Sequence, residues 1–218
     1  MMLNDSMDDD ENERFIIEVA SEKHIVFAPL ISATMEESAI ARGTGIAKRP
    51  PEVIANYIKQ GNALIALDHD GTWAGFCYLS TYDDGAFVSN SGLIVAPAFR
   101  EHGLARDLKE KLLTLCREKY PHAAVVGITT SPAVMKINTA LGFYPTSFAD
   151  LPRDEKFWKG CESCVNCDIL KRTNRRFCLC TAMRYDRPAN QTTEKVYPEG
   201  EWKDTFHRFI ARSHVNHL

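Results

Sequence analysis

The sequence predicts an α/β fold of the α+β kind, a mixed and mostly antiparallel sheet with flanking helices, followed by a Cys-rich C-terminal extension. Three observations carry this. Two tight turns, Asp70-Gly71 and Asp83-Asp84-Gly85, join apolar stretches into an antiparallel meander. Segments with apolar residues at helical spacing stand on either side of that meander. The whole reads as βααβββαβαβ, an order that packs helices on a mixed sheet.

Taken in order, Arg14 to Val19 alternates as a strand does. Ser21 then precedes a long helical segment to about Arg42, with Ile25, Ala28, Ile31, Met35 and Ala39 at helical spacing and Pro29 set to kink or restart it. Gly43 to Pro51 is rich in breakers, and Pro51 suits the first turn of a helix reaching about Gln60. Ala63 to Leu67, Trp73 to Ser80 and Ala86 to Val95 are the strands of the meander. Leu104, Leu108, Leu112, Leu115 and Cys116 mark one face of a helix from Gly103 to Glu118. A short buried strand at Ala123 to Thr129, a helix at Pro132 to Leu141 and a strand at Phe143 to Phe148 complete the core. Residues 1–12 form an acidic leader, 13–150 the main domain, 151–186 the Cys-rich extension, and 187–218 a polar tail with a short helical stretch at 201–212.

Of the 218 residues, 44% are hydrophobic, too many for a disordered chain. No apolar run approaches the roughly 18 residues a membrane helix needs. The acidic start is unlike a secretory signal, so a cytoplasmic protein is expected. The formal charge of −3 is concentrated in the leader: without the six acids of residues 1–13, 26 bases face 23 acids. That mildly cationic body suits an anionic ligand and argues against a nucleic-acid binder.

The chemistry points to Leu93-Ile-Val-Ala-Pro-Ala-Phe-Arg100-Glu-His-Gly103-Leu-Ala105-Arg106. A strand ends here, and an Arg-x-x-Gly-x-Ala turn opens a helix. Unpaired N–H groups at a helix N-terminus and the helix dipole favour an anion. Gly103 permits close backbone approach, Ala105 keeps the next turn small, and Arg100 and Arg106 add positive charge. Neither Gly-x-Gly-x-x-Gly nor Gly-Lys-Ser/Thr is present.

In this context the run Val95-Ala-Pro97-Ala-Phe99-Arg100-Glu-His-Gly103-Leu-Ala105 resembles the acyl-CoA motif of the GNAT superfamily of N-acyltransferases. Leu141-Gly142-Phe143 matches a second family feature, and the resemblance spans about residues 14–150. It implies acetyl-CoA or another acyl-CoA as donor. Leu93, Ile94 and Val95 would line the pantetheine arm, and Arg100, Glu101, His102, Gly103, Leu104, Ala105 and Arg106 would surround the pyrophosphate. It also implies a strand bulge near Leu93 to Val95, whose N–H polarises the thioester carbonyl, and direct attack by an amine. Many members protonate the leaving thiolate with a Tyr before Leu-Gly-Phe; Asn138 stands there, leaving a water, Tyr144 or no dedicated acid. Many use a Glu on the pre-motif strand as base; here Ser89 and Ser91 offer only a water chain. Catalytic candidates are therefore Ser89, Ser91 and Asn138.

The segment Lys48-Arg49-Pro-Pro-Glu52-Val is similar to one in N-acetylglutamate synthases, as is the later Asp150-Leu-Pro152 with Phe157-Trp158 and Cys161-x-x-Cys164. This implies a small-molecule amine acceptor, an amino acid, with glutamate and arginine synthesis the first expectation. Arg42, Lys48, Arg49 and Lys136 are the expected acceptor anchors, with Thr129 and Thr130 nearby. The donor is acetyl- or succinyl-CoA. Members of this family often dimerise, so a homodimer is compatible.

Seven cysteines divide in two. Cys77 and Cys116 lie in apolar segments, as buried thiols do. Cys161, Cys164, Cys167, Cys178 and Cys180 cluster. Cys161, Cys164, Cys178 and Cys180 have the two-knuckle spacing of a structural zinc site, with buried or redox-active thiols and an iron–sulfur cluster as open alternatives. Lys171, Arg172, Arg175 and Arg176 lie between the knuckles, so the alternative function is an acyltransferase-like scaffold with a nucleic-acid- or protein-binding knuckle. Trp73, Trp158 and Trp202 read as packing residues.

Overall fold

The computed structural model describes residues 14–43 and 49–186. The leader, Lys48 and the tail with its expected helix lie outside the described residues, as does the side chain of Arg42. Seven strands form one sheet: β1 (Ile16–Val19), β2 (Ala63–Leu67), β3 (Trp73–Tyr82), β4 (Phe87–Val95), β5 (Ala124–Thr129), β6 (Tyr144–Pro145) and β7 (Thr181–Tyr185). Their spatial order is β1-β2-β3-β4-β5-β7-β6. All neighbours are antiparallel except β4 and β5.

The helices form where breakers and apolar periodicity agree. The long segment after Ser21 begins as a 3-10 turn, Glu22–Phe27, and becomes α1 (Ala28–Arg42). Pro29 falls in the first turn of α1, where its missing N–H has no intrahelical partner to lose. Pro51 likewise opens α2 (Pro51–Lys59). Next come α3 (Leu104–Lys119) and α4 (Pro132–Ala140), then two short helices, α5 (Glu155–Lys159) and α6 (Cys167–Arg172). The meander's first turn is held by the Asp68 carboxylate, which accepts the N–H groups of Asp70 and Thr72.

One sheet face buries α3 through Leu104, Leu108 and Leu112. The other buries α1 and α2 through Ile31, Met35, Ile54 and Ile58. A third cluster, with Phe148, Phe157, Trp158 and Leu170, packs the cysteine-bearing segment onto Val126 and Ala182. Among the described residues no helix is long and apolar enough to cross a membrane.

Two readings of the sequence change. The strand expected at 143–148 is only Tyr144–Pro145, because Pro145 has no N–H to extend the ladder and Ser147 caps a 3-10 turn at Phe148–Asp150. The segment 151–186 also contains a strand the sequence did not reveal. β7 enters between β5 and β6, pairing with five residues of β5, so the cysteines are tethered to the middle of this half of the sheet.

Candidate functional site

The site begins where the sheet opens. β4 and β5 pair only at Phe87–Ser89 against Ala124–Val126, and beyond that β5 pairs with β7 alone. The β3–β4 register slips by one residue between Phe76↔Ile94 and Tyr78↔Ser91. This is the expected bulge, and it bends β4 away at the same level. Gly92 sits in it at φ +65°, and a Cβ there would lie 2.2 Å from the Tyr78 ring. Only glycine satisfies both demands.

At the outer end of β4, Gly103 (φ +79°) leads into α3. The Arg106 N–H is the first of this turn to find a carbonyl, that of Gly103 at 2.8 Å. The amides of Leu104 and Ala105 find no backbone acceptor among the described residues, and a Cβ on Gly103 would meet nothing within 4 Å. An open turn of outward N–H groups at a helix N-terminus fits a pyrophosphate. Leu104 is itself core, whereas Glu101, His102 and Arg106 are exposed. Arg100 braces the turn: Nε donates to the Val95 carbonyl (3.2 Å) and its terminal nitrogen to Ser38 Oγ (3.1 Å). His102 meets Arg14 at 3.0 Å on the surface.

Between the open strands lies a cavity of about 400 Å³. Leu93 and Ile94 line it, with Gly127–Ser131 of β5 and its loop opposite. Ser89 and Ser91 share it, with Ser91 Oγ donating to Ser89 Oγ at 2.9 Å. Asn138 reaches it from α4; its amide meets Met183 Sδ at 3.5 Å, and its buried Oδ1 has no hydrogen-bond partner. Asn90, which the sequence did not single out, is buried with neither side-chain polar atom satisfied.

The far wall is aromatic. Tyr57 stacks on Tyr78 with ring centroids 4.0 Å apart and accepts a hydrogen bond from Ser80 Oγ at 2.8 Å. Burial raises the pKa of Tyr57, with Tyr78 adding to the rise, and burial likewise raises that of Tyr82. Arg49 lies over Tyr78 and donates from Nε to its hydroxyl at 2.6 Å, while its own carbonyl accepts from Ser32 Oγ. The tyrosines were discoverable: Phe76, Tyr78, Ser80 and Tyr82 recur at period 2 on one face of β3.

Of the other expected anchors, Thr129 and Thr130 line the cavity, but Lys136 is exposed and does not. Tyr144 is also absent from the lining; on edge strand β6 its hydroxyl bonds the Asp186 carboxylate. Lys109 of α3, unnoticed in the sequence, is a lining residue buried in the apolar face. Burial lowers its pKa to about 8.

The cysteine segment closes the cavity's side, since Cys161, Cys164 and Cys180 are lining residues with Lys156 and Phe157. Burial pushes the Cys161 thiol up to about 11, with Cys164, Cys178 and Cys167 adding to the rise. Cys180 is pushed up to about 12 by burial and then by Cys178. Cys161 and Cys180 pack against the buried cluster that contains Cys178, and Cys164 lines the same cavity. Even so, among the described residues no group of three or more His, Cys, Asp or Glu is arranged to hold a metal ion. Cys77 and Cys116 are buried in the core, as expected. In the basic turn, Arg175 is committed to a two-pronged pair with Glu155 at 2.6 Å and lies over Trp158. Trp158 and Trp73 are buried packing residues, each donating its indole N–H to a carbonyl.

A splayed β4–β5 pair, a bulge and an amide cradle at one helix start together define an acyl-CoA transferase. The model of the acetyltransferase (GNAT) family matches residues 34–143, and the chain belongs to that family. It is an N-acetyltransferase that draws its acyl group from a CoA thioester. Similar folds include N-acetylglutamate synthase from Neisseria gonorrhoeae complexed with coenzyme A and N-acetyl-glutamate (TM-score 0.57, 19% identity, 79% of this chain covered). This chain spans only 35% of that synthase. A Mycobacterium tuberculosis protein in complex with CoA is also similar (TM-score 0.57, 15% identity, 79% and 99% of the two chains covered). So is a GNAT superfamily phosphinothricin acetyltransferase from Sinorhizobium meliloti with acetyl-CoA (0.55, 17%, 86% and 97%). At these identities the likeness is one of fold. No curated protein matches by sequence.

Proposed function

We propose that the enzyme acetylates the amino group of an amino acid, with glutamate the first candidate acceptor. The observation that carries this is Arg49, held on the Tyr78 ring and hydroxyl at the wall of the cavity opposite the strand splay. A guanidinium fixed in that way suits a carboxylate, which it can grip with two parallel hydrogen bonds. The glutamate choice draws on the similar segment Lys48-Arg49-Pro-Pro-Glu52 and on the N-acetyl-glutamate bound by the Neisseria relative. On this reading the product enters arginine synthesis, and the reaction is cytoplasmic.

The donor's pyrophosphate lies on the amides from Gly103 to Ala105, and its arm runs along β4 past Leu93 and Ile94. A backbone N–H freed by the bulge polarises the thioester carbonyl, which the neutral amine attacks. No carboxylate lines the cavity among the described residues, so Ser89 and Ser91 pass the amine's proton toward solvent. Most of the acceleration then comes from holding two substrates in line. A screen of acetyl- and succinyl-CoA against glutamate, ornithine and related amines, read as CoA-thiol release, tests the reading. Saturable turnover with an acidic amino acid supports it, and turnover with none of these amines refutes the acceptor.

For the cysteine segment we infer a structural zinc drawing on Cys161, Cys164, Cys178 and Cys180. The packing of Cys161 and Cys180 against the cluster of Cys178, with Cys164 on the same cavity, supports it, although side-chain rotation has to bring them to ligand geometry. Metal content of the purified protein near one zinc per chain is expected. Because the bound thiols must lose protons, zinc is expected to leave as pH falls. A metal-free preparation that resists zinc reconstitution contradicts it.

A further inference from the structure

Lys109 has no part in the chemistry described so far, yet its placement is costly. It lies on α3 between Leu108 and Leu112, 3% exposed, and it is one of the residues lining the cavity. None of the ion pairs among the described residues includes it. Its contact is the ring of Phe143, whose centroid is 6.0 Å from Nζ. A buried ammonium without a counter-charge is unfavourable, and a methionine would fill the same space without that penalty.

Asn138 adjoins the same corner. Its carbonyl accepts the Phe143 N–H at 3.0 Å, and its side-chain Oδ1, buried in the cavity wall, has no partner. Asn138 can hold a proton donor or a water, but it cannot give a proton away. Tyr144 faces elsewhere. Lys109 is thus a proton-donating side chain beside this corner, on the helix whose first turn is the proposed pyrophosphate cradle.

We propose that Lys109 is a further catalytic residue, the acid that protonates the departing CoA thiolate. As the amine nitrogen bonds the acyl carbon, the C–S bond breaks and its electron pair goes to sulfur. Nζ gives that sulfur a proton, leaving CoA thiol and a neutral lysine, which regains a proton from water. The amine's own surplus proton leaves separately to solvent, so charge and atoms balance. With its pKa held down to about 8 by burial, Lys109 is close to an ordinary thiol's ~8.5, so the transfer is nearly level. The titratable groups around it do not compete: Cys77 of β3 is pushed up to about 12, and Tyr57 and Tyr82 across the cavity are also raised. Arg49 and Lys156 are the cavity's other cations. The inference rests on acyl transfer from CoA, not on the identity of the acceptor.

The test pairs Lys109→Met with Lys109→Arg and uses acetyl-CoA and free CoA as probes. Lys109→Met is expected to melt no lower than the parent and to bind acetyl-CoA within about threefold. Its CoA release is expected to fall by about 100-fold, measured with the working amine or as acceptor-free hydrolysis of acetyl-CoA. A second readout is the pH at which bound CoA ionises, followed by the ultraviolet absorbance of the thiolate. The parent and Lys109→Arg should ionise bound CoA at a lower pH than Lys109→Met, because both keep a cation beside sulfur. Only the parent should keep the rate. A folded Lys109→Met with unchanged release, or with bound CoA ionising where it does in the parent, overturns the proposal. If Lys109→Met does not fold, bound CoA in the parent decides: ionisation below that of free CoA supports the proposal, and ionisation at or above it overturns it.

Discussion

The cradle at the start of α3 and the chamber between β4 and β5 both adjoin the splayed half of one strand but are built differently. The cradle is made of backbone within a single turn, Arg100 to Arg106, with its amides turned outward. The chamber is made of side chains from α1, α2 and the approach to it, strands β3 to β5, α3, α4 and the cysteine segment. On the proposed reading, one holds what every CoA thioester has in common, and the other selects what the acyl group meets. A contiguous backbone site tolerates change in its side chains, whereas an assembled side-chain site depends on each contributor.

Their glycines should break differently, and here the largest effect is expected. Gly92→Ala combines a positive φ with a clash against the Tyr78 ring, so about 3 kcal/mol of stability and more than about 100-fold in kcat/KM should be lost. Gly103→Ala meets no protein atom and should cost only about 1 kcal/mol of strain, its penalty appearing in acyl-CoA affinity. Chemical denaturation and steady-state kinetics on the two variants check both. Equal destabilisation would erase the distinction.

Next in size, Arg49→Ala should raise the acceptor KM by about 30-fold, the equivalent of about 2 kcal/mol for a charged hydrogen-bonded contact, and leave the acyl-CoA KM unchanged. Arg106→Ala should do the reverse and more weakly, raising the acyl-CoA KM about threefold in a salt-sensitive way, because this guanidinium is exposed. Smallest is a stability effect outside both regions. Burial lowers the pKa of His24, whose Nδ1 accepts the Ser21 N–H at 3.0 Å. The unfolded chain therefore takes the proton more readily. The stability contributed by neutral His24 is full above the unfolded value of ~6.5 and is lost as pH falls from there through its lowered value in the folded protein. Thermal melts of His24→Gln against the parent between pH 5 and about 7.5 should converge at the acid end.

The same contrast governs what the sequence revealed. The motif from Val95 to Ala105 is local, so its strand, glycine turn and helix start could be read from the sequence, and the meander and the rest of α3 followed from periodicity and turn residues. Lys109 was hidden because a lysine beside Leu108 and Leu112 reads as a solvated edge of an apolar face, and only the packing of Phe143 against it shows otherwise. β7 was hidden for a related reason. Thr181-Ala-Met-Arg-Tyr185 alternates over only five residues, and its partner β5 lies more than 50 residues away. Asn90 gave no signal at all, since its exceptional feature is a pair of unsatisfied polar atoms. Tyr57, Tyr78 and Tyr82 were partly legible, the latter two from the period of β3.

On the proposed reading, the chamber presents a carboxylate-binding arginine to an amine facing the thioester. The most direct measurement is CoA-thiol release from acetyl-CoA against glutamate concentration, for the parent and Arg49→Ala side by side. Saturable release by the parent, with the Arg49→Ala curve displaced to about 30-fold higher glutamate at equal acetyl-CoA affinity, is the predicted result. Superimposed curves, or release no faster with glutamate than without it while acetyl-CoA still binds, would contradict the account.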